Sequence, residues 1–382
     1  MKELKNIVFW SLLIISVFVQ TPLVMAQTVP SKSSNLPPNQ WNPQKTWVFF
    51  AGLVEWNNST WGRYEQKNRR DEILVNLLRE RGVPENQIVY LKDSEATQAN
   101  IEKSFAEFLR RPKAGDWVFV YYCGHGYKTE PDGKAYFAPY DSDGSEVGWE
   151  MASVPATIEK NFKGSHAILV ADNCYSGALI EAVKNGKWRA NYAVFASSSA
   201  SQISTGNWTF TEGLISAFRG AAYIDDDQNG KVTFAEAQSN AAEDMLFAEE
   251  QVATFAFTGN FSPETVIAAA KPSVNAKIGE RVEVFTANNW YKAFIKDFQN
   301  NLFRVHYYGY FDDKEELVKT EQIRASRPKQ YKVGDKVEVE WKKEWYPAGI
   351  LAVRGGAHLI TYDGYDKEWD EWVSSKRIRQ KP

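Results

Sequence analysis

The chain has 382 residues, 43% of them hydrophobic and 24% charged, with a formal net charge of −3. That length allows two or three domains, and the composition is ordinary for globular proteins. So even a charge balance excludes a global attraction to nucleic acid.

The N-terminus opens with the basic stretch Met1-Lys2-Glu3-Leu4-Lys5, continues through an apolar run from Ile7 to Val19, and reaches Val24-Met25-Ala26. The run is short for a membrane span, and the small-residue ending fits signal-peptidase cleavage. Residues 1–26 are expected to be a signal peptide. Residues 27–44, rich in Pro, Ser and Asn, are expected to be a flexible lead-in. The mature protein is then exported, periplasmic or extracellular, with no membrane span.

From residue 45 to residue 271, short apolar runs alternate with helical patterns. Trp47 to Leu53 reads as a strand, Asp71 to Arg81 as a helix with Ile73, Leu74, Leu77 and Leu78 on its apolar side, and Gln87 to Leu91 as a second strand. Thr97 is placed to cap a helix running to about Arg110. Next comes Val118-Phe119-Val120-Tyr121-Tyr122-Cys123-Gly124-His125-Gly126, then a polar loop containing Tyr136-Phe137-Ala138-Pro139-Tyr140-Asp141. A helix near Ala156 to Phe162 precedes Ala167-Ile168-Leu169-Val170-Ala171-Asp172-Asn173-Cys174-Tyr175-Ser176-Gly177. A further strand, Tyr192 to Ser197, ends in Ser197-Ser198-Ser199-Ala200-Ser201-Gln202. Continuous apolar strands separated by helices predict an α/β domain with a mostly parallel sheet flanked by helices. Ligands of such sheets bind beyond the carboxyl ends of the strands. A histidine at one such end and a cysteine at another are the two parts a thiol nucleophile needs.

The two segments resemble the histidine and cysteine motifs of the caspase-like clan of cysteine peptidases, most closely the metacaspases and their bacterial relatives, over roughly Lys45 to Ala270. The resemblance implies that His125 is the general base and acid, that Cys174 is the nucleophile, and that the amides of Gly126 and Cys174 form the oxyanion hole. Each such donor is typically worth about 2.7–4 kcal/mol. It also implies that Asp172 sits in the pocket for the residue before the scissile bond and selects Arg or Lys, the fork of Arg pairing better with a carboxylate. Cys123 stands where the motif usually has serine, at a position lining that pocket. Free thiols are expected at both cysteines, since a Cys123–Cys174 disulfide would block the nucleophile. The alternative is a non-catalytic caspase-like scaffold acting as a calcium-dependent binding protein. No organic cofactor is implied.

Asp225-Asp226-Asp227-Gln228-Asn229-Gly230-Lys231-Val232-Thr233-Phe234-Ala235-Glu236 fits the twelve-residue calcium loop of the EF-hand. Asp225, Asp227, Asn229, Lys231 and Glu236 occupy the ligand positions and Gly230 the sharp turn. A helix from Ala235 to about Glu249 follows, whereas Ala221-Ala222-Tyr223-Ile224 before the loop reads equally well as a strand. Metacaspases are often calcium-dependent through scattered aspartates, so this loop is a separate observation.

Beyond Lys271-Pro272 the pattern changes to short alternating strands, and a repeat emerges. Val282-Glu283-Val284 matches Val337-Glu338-Val339, Trp290-Tyr291 matches Trp345-Tyr346, and Gly309-Tyr310 matches Gly364-Tyr365, all at one offset (345 − 290 = 55). A tandem duplication follows, residues 272–328 and 329–382, each expected to be a small SH3-like β-barrel. The second copy resembles Tudor and Agenet modules; in the first, Phe311-Asp312-Asp313-Lys314 replaces the double-Trp turn. Such modules often hold peptide side chains in aromatic cages, for which Trp345, Tyr346, Tyr362, Tyr365 and Trp369 are the candidates here. The repeats are expected to be docking modules of unknown ligand, and their interspersed Asp and Glu argue against nucleic acid. A peptide or protein is the expected substrate.

Overall fold

The computed structural model describes residues 40–380 apart from 68, 146, 273, 274, 276, 310–314, 326–330, 342, 355 and 356. The expected signal peptide, most of the lead-in and the turn at Phe311 to Lys314 lie outside the described residues. The end of the lead-in departs from expectation. Trp41 is 2% exposed, meets Phe218 edge-on at 5.2 Å, and donates its main-chain N–H to the Val266 carbonyl. Burying so large a ring ties these residues to the domain.

The first domain runs β1 (Thr46–Gly52), α1 (Arg70–Glu80), β2 (Ile88–Lys92), α2 (Gln98–Phe108) and β3 (Trp117–Cys123). As expected, the Thr97 hydroxyl caps α2 by accepting from the Asn100 N–H. The polar loop after β3 contains a small antiparallel sheet of β4 (Gly126–Lys128), β5 (Ala135–Phe137) and β6 (Trp149–Glu150). Then come α3 (Ser153–Asn161), β7 (His166–Asp172), α4 (Ala178–Asn185), β8 (Asn191–Ala196) and α5 (Thr209–Phe218). The domain closes with β9 (Lys231–Thr233), α6 (Phe234–Asp244), β10 (Thr254–Thr258) and β11 (Val266–Ala269).

The main sheet has the order β10-β8-β7-β3-β1-β2 and is parallel except for β10, which pairs antiparallel with β8. Alternate side chains serve opposite faces. Phe50, Phe119, Tyr121, Ile168 and Val170 pack with α1, α5 and α6, while Phe49, Val118, Val120 and Leu169 pack with α2, α3 and α4. This double burial is why the strands read as unbroken apolar runs. The strand order turns back between β1 and β3, so the crevice opens at the carboxyl ends of β1, β3 and β7.

Two five-stranded antiparallel sheets follow. The first comprises β12 (Arg281–Thr286), β13 (Asn289–Gln299), β14 (Leu302–Tyr307), β15 (Glu315–Val318) and β16 (Ile323–Ala325). The second comprises β17 (Lys336–Trp341), β18 (Glu344–Arg354), β19 (Ala357–Tyr362), β20 (Glu371–Val373) and β21 (Ile378–Gln380). The starts at Arg281, Asn289 and Leu302 recur 55 residues on at Lys336, Glu344 and Ala357 (336 − 281 = 55). Even the register shifts correspond, at Ile295/Asp297 and at Ile350/Ala352. Each shift bends its long strand, which lets five short strands wrap a small core. The first barrel is bound to the α/β domain: the Arg281 guanidinium bonds Asp244 at 2.9 Å, Glu243 at 2.6 Å and Asn240 Oδ1 at 2.9 Å.

Candidate active site

β3 and β7 run side by side with Cys123 opposite Asp172, so the loops carrying His125 and Cys174 leave the sheet together. Gly124 turns the chain at φ 143°, a conformation that L side chains rarely adopt. At Gly126 a Cβ would stand 2.2 Å from Asn173 Nδ2 and 2.3 Å from the Cys174 carbonyl oxygen. Only glycine allows the two loops to cross so closely.

The His125 ring is held on three sides by aromatic rings, with centroids at 4.5 Å from Trp56, 5.0 Å from Trp61 and 4.9 Å from Tyr64. Its Nε2 lies 2.7 Å from the Gly62 carbonyl oxygen and its Nδ1 3.1 Å from the Tyr64 hydroxyl. A carbonyl only accepts, so Nε2 carries the proton and Nδ1 presents the lone pair, which takes the hydroxyl's hydrogen. Burial lowers the imidazole's pKa, opposed by the Gly62 carbonyl, and so favours the neutral form a base requires.

On the cysteine side, Tyr175 adopts φ 61°, unusual for a large side chain, directly after the nucleophile candidate. Buried serines hold this turn: Asn173 N–H donates to Ser197 Oγ at 3.1 Å, and Ser176 N–H to Ser198 Oγ at 3.1 Å. Cys174 Sγ accepts from the Ser204 N–H at 3.2 Å. Burial pushes the Cys174 thiol up in pKa, opposed by the backbone N–H groups of Ser204, Gly126 and Cys174 itself. The same amides that ease a thiolate could ease an oxyanion. Among the described residues no direct hydrogen bond joins His125 to Cys174.

Asp172, 9% exposed, accepts from the Thr211 hydroxyl at 2.6 Å, and Thr211 is in turn 2.8 Å from the Tyr121 hydroxyl. Burial raises its carboxyl pKa to about 6, against the pull of the Thr211 and Ser197 hydroxyls. Asp172, Cys174 and Cys123 share one small cavity of about 30 Å³, walled by Tyr64 and by residues 204–208. Both cysteines are free thiols. Burial, with Asp71 nearby, pushes the Cys123 thiol far up in pKa, so it is the inert one of the two.

In the acidic loop, carboxylate oxygens of Asp225, Asp227 and Glu236 come within 4.8 Å of one another. The loop is pre-shaped by its own hydrogen bonds: Asp225 Oδ2 accepts from the Gly230 N–H at 2.9 Å and Asn229 Oδ1 from the Lys231 N–H at 2.9 Å. Glu236 accepts from the Asp226 N–H at 3.0 Å and caps α6 through Thr233. The segment before the loop is a 3₁₀ turn, Ala222–Ile224, so the alternative of a strand there does not hold.

The candidate cage of the second barrel comes together only in part. Tyr346, Tyr365 and Trp369 form a chain of edge-on rings with centroids 6.3 and 6.1 Å apart, the latter two rings being 51% and 50% exposed. Tyr362 stands behind them, 7% exposed and bonded to Glu371 at 2.7 Å. Trp345 is elsewhere, stacked under the Arg379 guanidinium at 4.3 Å. Its place is taken by Trp341, 5.8 Å from Trp369 and 6.0 Å from Tyr346. Trp341 was legible as a residue present only in the second copy, the first having Thr286 there (286 + 55 = 341). Gly62 and Tyr64 carried no motif; the aromatic run between β1 and α1 was their only signal.

The caspase-domain family model matches residues 71–254. The Tudor-knot model, described as an RNA-binding activity knot of a chromodomain, matches residues 331–380. Metacaspase-7 of Arabidopsis thaliana is 27% identical over 120 residues, which is 27% of this chain. The chain thus spans 28% of the length of that curated relative. A crystal structure of a Geobacter sulfurreducens protein superposes with a TM-score of 0.42 at 15% identity, covering 59% of this chain and 99% of that one. One of Arabidopsis thaliana AGDP1 gives a TM-score of 0.13 at 19% identity, over 27% of this chain and 80% of that one.

Proposed function

We propose that this chain, which carries a caspase-like domain followed by a Tudor-knot domain, is an exported cysteine endopeptidase that cleaves after Arg or Lys. The observation that carries the reading is Asp172 and Cys174 sharing one cavity whose described lining holds no basic residue. An aspartyl substrate would find no countercharge there. A guanidinium would find a buried carboxylate, and low polarity strengthens that pair.

In this mechanism His125 Nδ1 takes the Cys174 proton, directly or through the Tyr64 hydroxyl that now bonds it, while Gly62 keeps the ring in the right tautomer. The sulfur attacks the carbonyl, and the N–H groups of Gly126 and Cys174 receive the developing oxyanion. His125 then returns the proton to the leaving amine, and water releases the acyl enzyme. Because burial favours neutral thiol and neutral imidazole, general-base activation suits the pair better than a standing ion pair.

Calcium belongs to the same proposal. Asp225, Asp227, Asn229, Lys231 and Glu236 would hold it, the hard oxygens of three clustered carboxylates being the donor set it prefers. Trp341, Tyr346, Tyr365 and Trp369 form a rim suited to a cationic side chain, which makes the second barrel a recognition module. Among the described residues no helix is long and apolar enough to cross a membrane.

The test is covalent labelling by an arginyl peptide chloromethyl ketone. Mass spectrometry should place the adduct on Cys174, at least tenfold faster than with the aspartyl reagent, and Asp172→Ala should remove that preference. Equal rates for the two reagents, or an adduct on another residue, would overturn the reading.

A further inference from the structure

The first barrel reaches the crevice in which peptide would bind. The cavity beside Cys174 measures about 30 Å³. A second cavity of about 270 Å³ shares Tyr64, Gly206, Asn207 and Trp208 with it, and its far side includes Gly309, just beyond β14. Gly309 has φ +76°, and a Cβ there would lie 3.4 Å from Asn207 Nδ2. The barrel edge thus lies directly against the wall of the crevice at Asn207. Arg63, Glu65 and Glu212 also line this space. Mixed charge beside exposed backbone suits a polypeptide better than a simple ion.

A second contact ties barrel and crevice together independently. α6 ends in a π-helical turn, Met245–Glu249, closed by Glu250 at φ 57°. Such turns recur at functional sites. From the barrel side, Lys292 Nζ donates to the Ala248 carbonyl at 3.0 Å and pairs with Glu250 at 3.3 Å, and the Tyr308 ring meets Phe247 edge-on at 5.7 Å. From the crevice side, Glu249 accepts from Asn207 Nδ2 at 2.9 Å and from the Thr209 hydroxyl. Gln251 accepts from the Thr205 N–H at 2.9 Å and donates to Ser204 Oγ at 3.0 Å. One turn therefore holds the wall over Cys174 and is itself held by the barrel.

We infer that the first barrel is a built-in part of the peptide-binding cleft: its Gly309 edge lines the portion that receives substrate residues beyond the one before the scissile bond, and its grip on the π-turn positions residues 204–209. The inference rests on the peptidase reading, so its test reads binding and not hydrolysis. In the full chain carrying Cys174→Ala, affinity is measured for a decapeptide with a central arginine and for a blocked arginine amide. Gly309→Asn keeps a residue that tolerates positive φ while filling the cavity, and Lys292→Met loosens the turn without touching the cavity. Each should weaken the decapeptide about tenfold more than it weakens the amide. Equal losses for both ligands, no loss for either, or no decapeptide binding by the Cys174→Ala chain would overturn the inference. If Gly309→Asn fails to fold, Lys292→Met alone decides. Binding that behaves as expected, with no hydrolysis by the parent, would sink only the peptidase reading.

Discussion

At the scale of single residues, the proposed specificity turns on Asp172. Burial lifts its carboxyl to about 6 from an unfolded value of 3.8, so ionising it costs folding stability as pH rises through that window. A substrate guanidinium nevertheless needs the ion. kcat/KM for arginyl substrates should therefore fall as pH drops below about 6, through KM. Thr211→Val removes the hydroxyl that bonds Asp172 Oδ2 at 2.6 Å. The carboxylate then loses a charge-assisted hydrogen bond, and the fall should move about one pH unit higher. His125 also titrates on the acid side, but Thr211 does not touch it, so superimposable profiles for parent and Thr211→Val would contradict the argument. The neighbouring placement of the His125 and Cys174 loops was legible because each follows an apolar strand, and β3 and β7 pair side by side. Gly62, which fixes the tautomer, acts through a carbonyl that every residue possesses, and no spacing rule could single it out.

At the scale of elements, the clustering of Asp225, Asp227 and Glu236 was legible from spacing alone, because the three carboxylates are local in sequence. The element before them was not. α5 ends at Phe218, Gly220 turns at φ 66°, and the few residues left before Asp225 are too short for a helix to nucleate. The antiparallel β4–β6 sheet was missed for a related reason: strands this short give no alternation to read. Since α6 leads from Glu236 to the π-turn, an ion at the loop would also steady the wall over Cys174. Calcium should raise the midpoint of thermal unfolding, corresponding to about 2.7 kcal/mol at a hundredfold excess over Kd. Magnesium should do so poorly, because it demands tighter octahedral geometry. Glu236→Gln should lose most of the shift while keeping the cap. A shift of equal size in parent and variant, or in neither, would make the loop a turn and nothing more.

At the scale of the whole molecule, the duplication was legible because both copies keep the same packing. Arg324 lies over Trp290 at 4.0 Å as Arg379 lies over Trp345, and Tyr307 bonds Glu316 as Tyr362 bonds Glu371. The docking of the first copy was not legible, since Arg281, Lys292 and Tyr308 look like ordinary barrel residues until Asp244 and the π-turn meet them. A small barrel with a core of its own could stand as a detachable unit. The structure instead gives Asp244 two partners from the barrel, Arg281 and Tyr308, so a cut near Lys271 would take both away and leave it the bond from Asn240 Nδ2 at 2.8 Å. In the proposed function the two halves of the chain serve one thiol chemistry directed at basic side chains. It is tested most directly by kcat/KM of the full chain on one peptide series with Arg, Lys or Asp before the scissile bond, run beside Cys174→Ala. Arg should run ahead of Lys, Asp should be refused, and Cys174→Ala should show no turnover; cleavage after Asp as fast as after Arg, or turnover that survives loss of the sulfur, would overturn the proposed function.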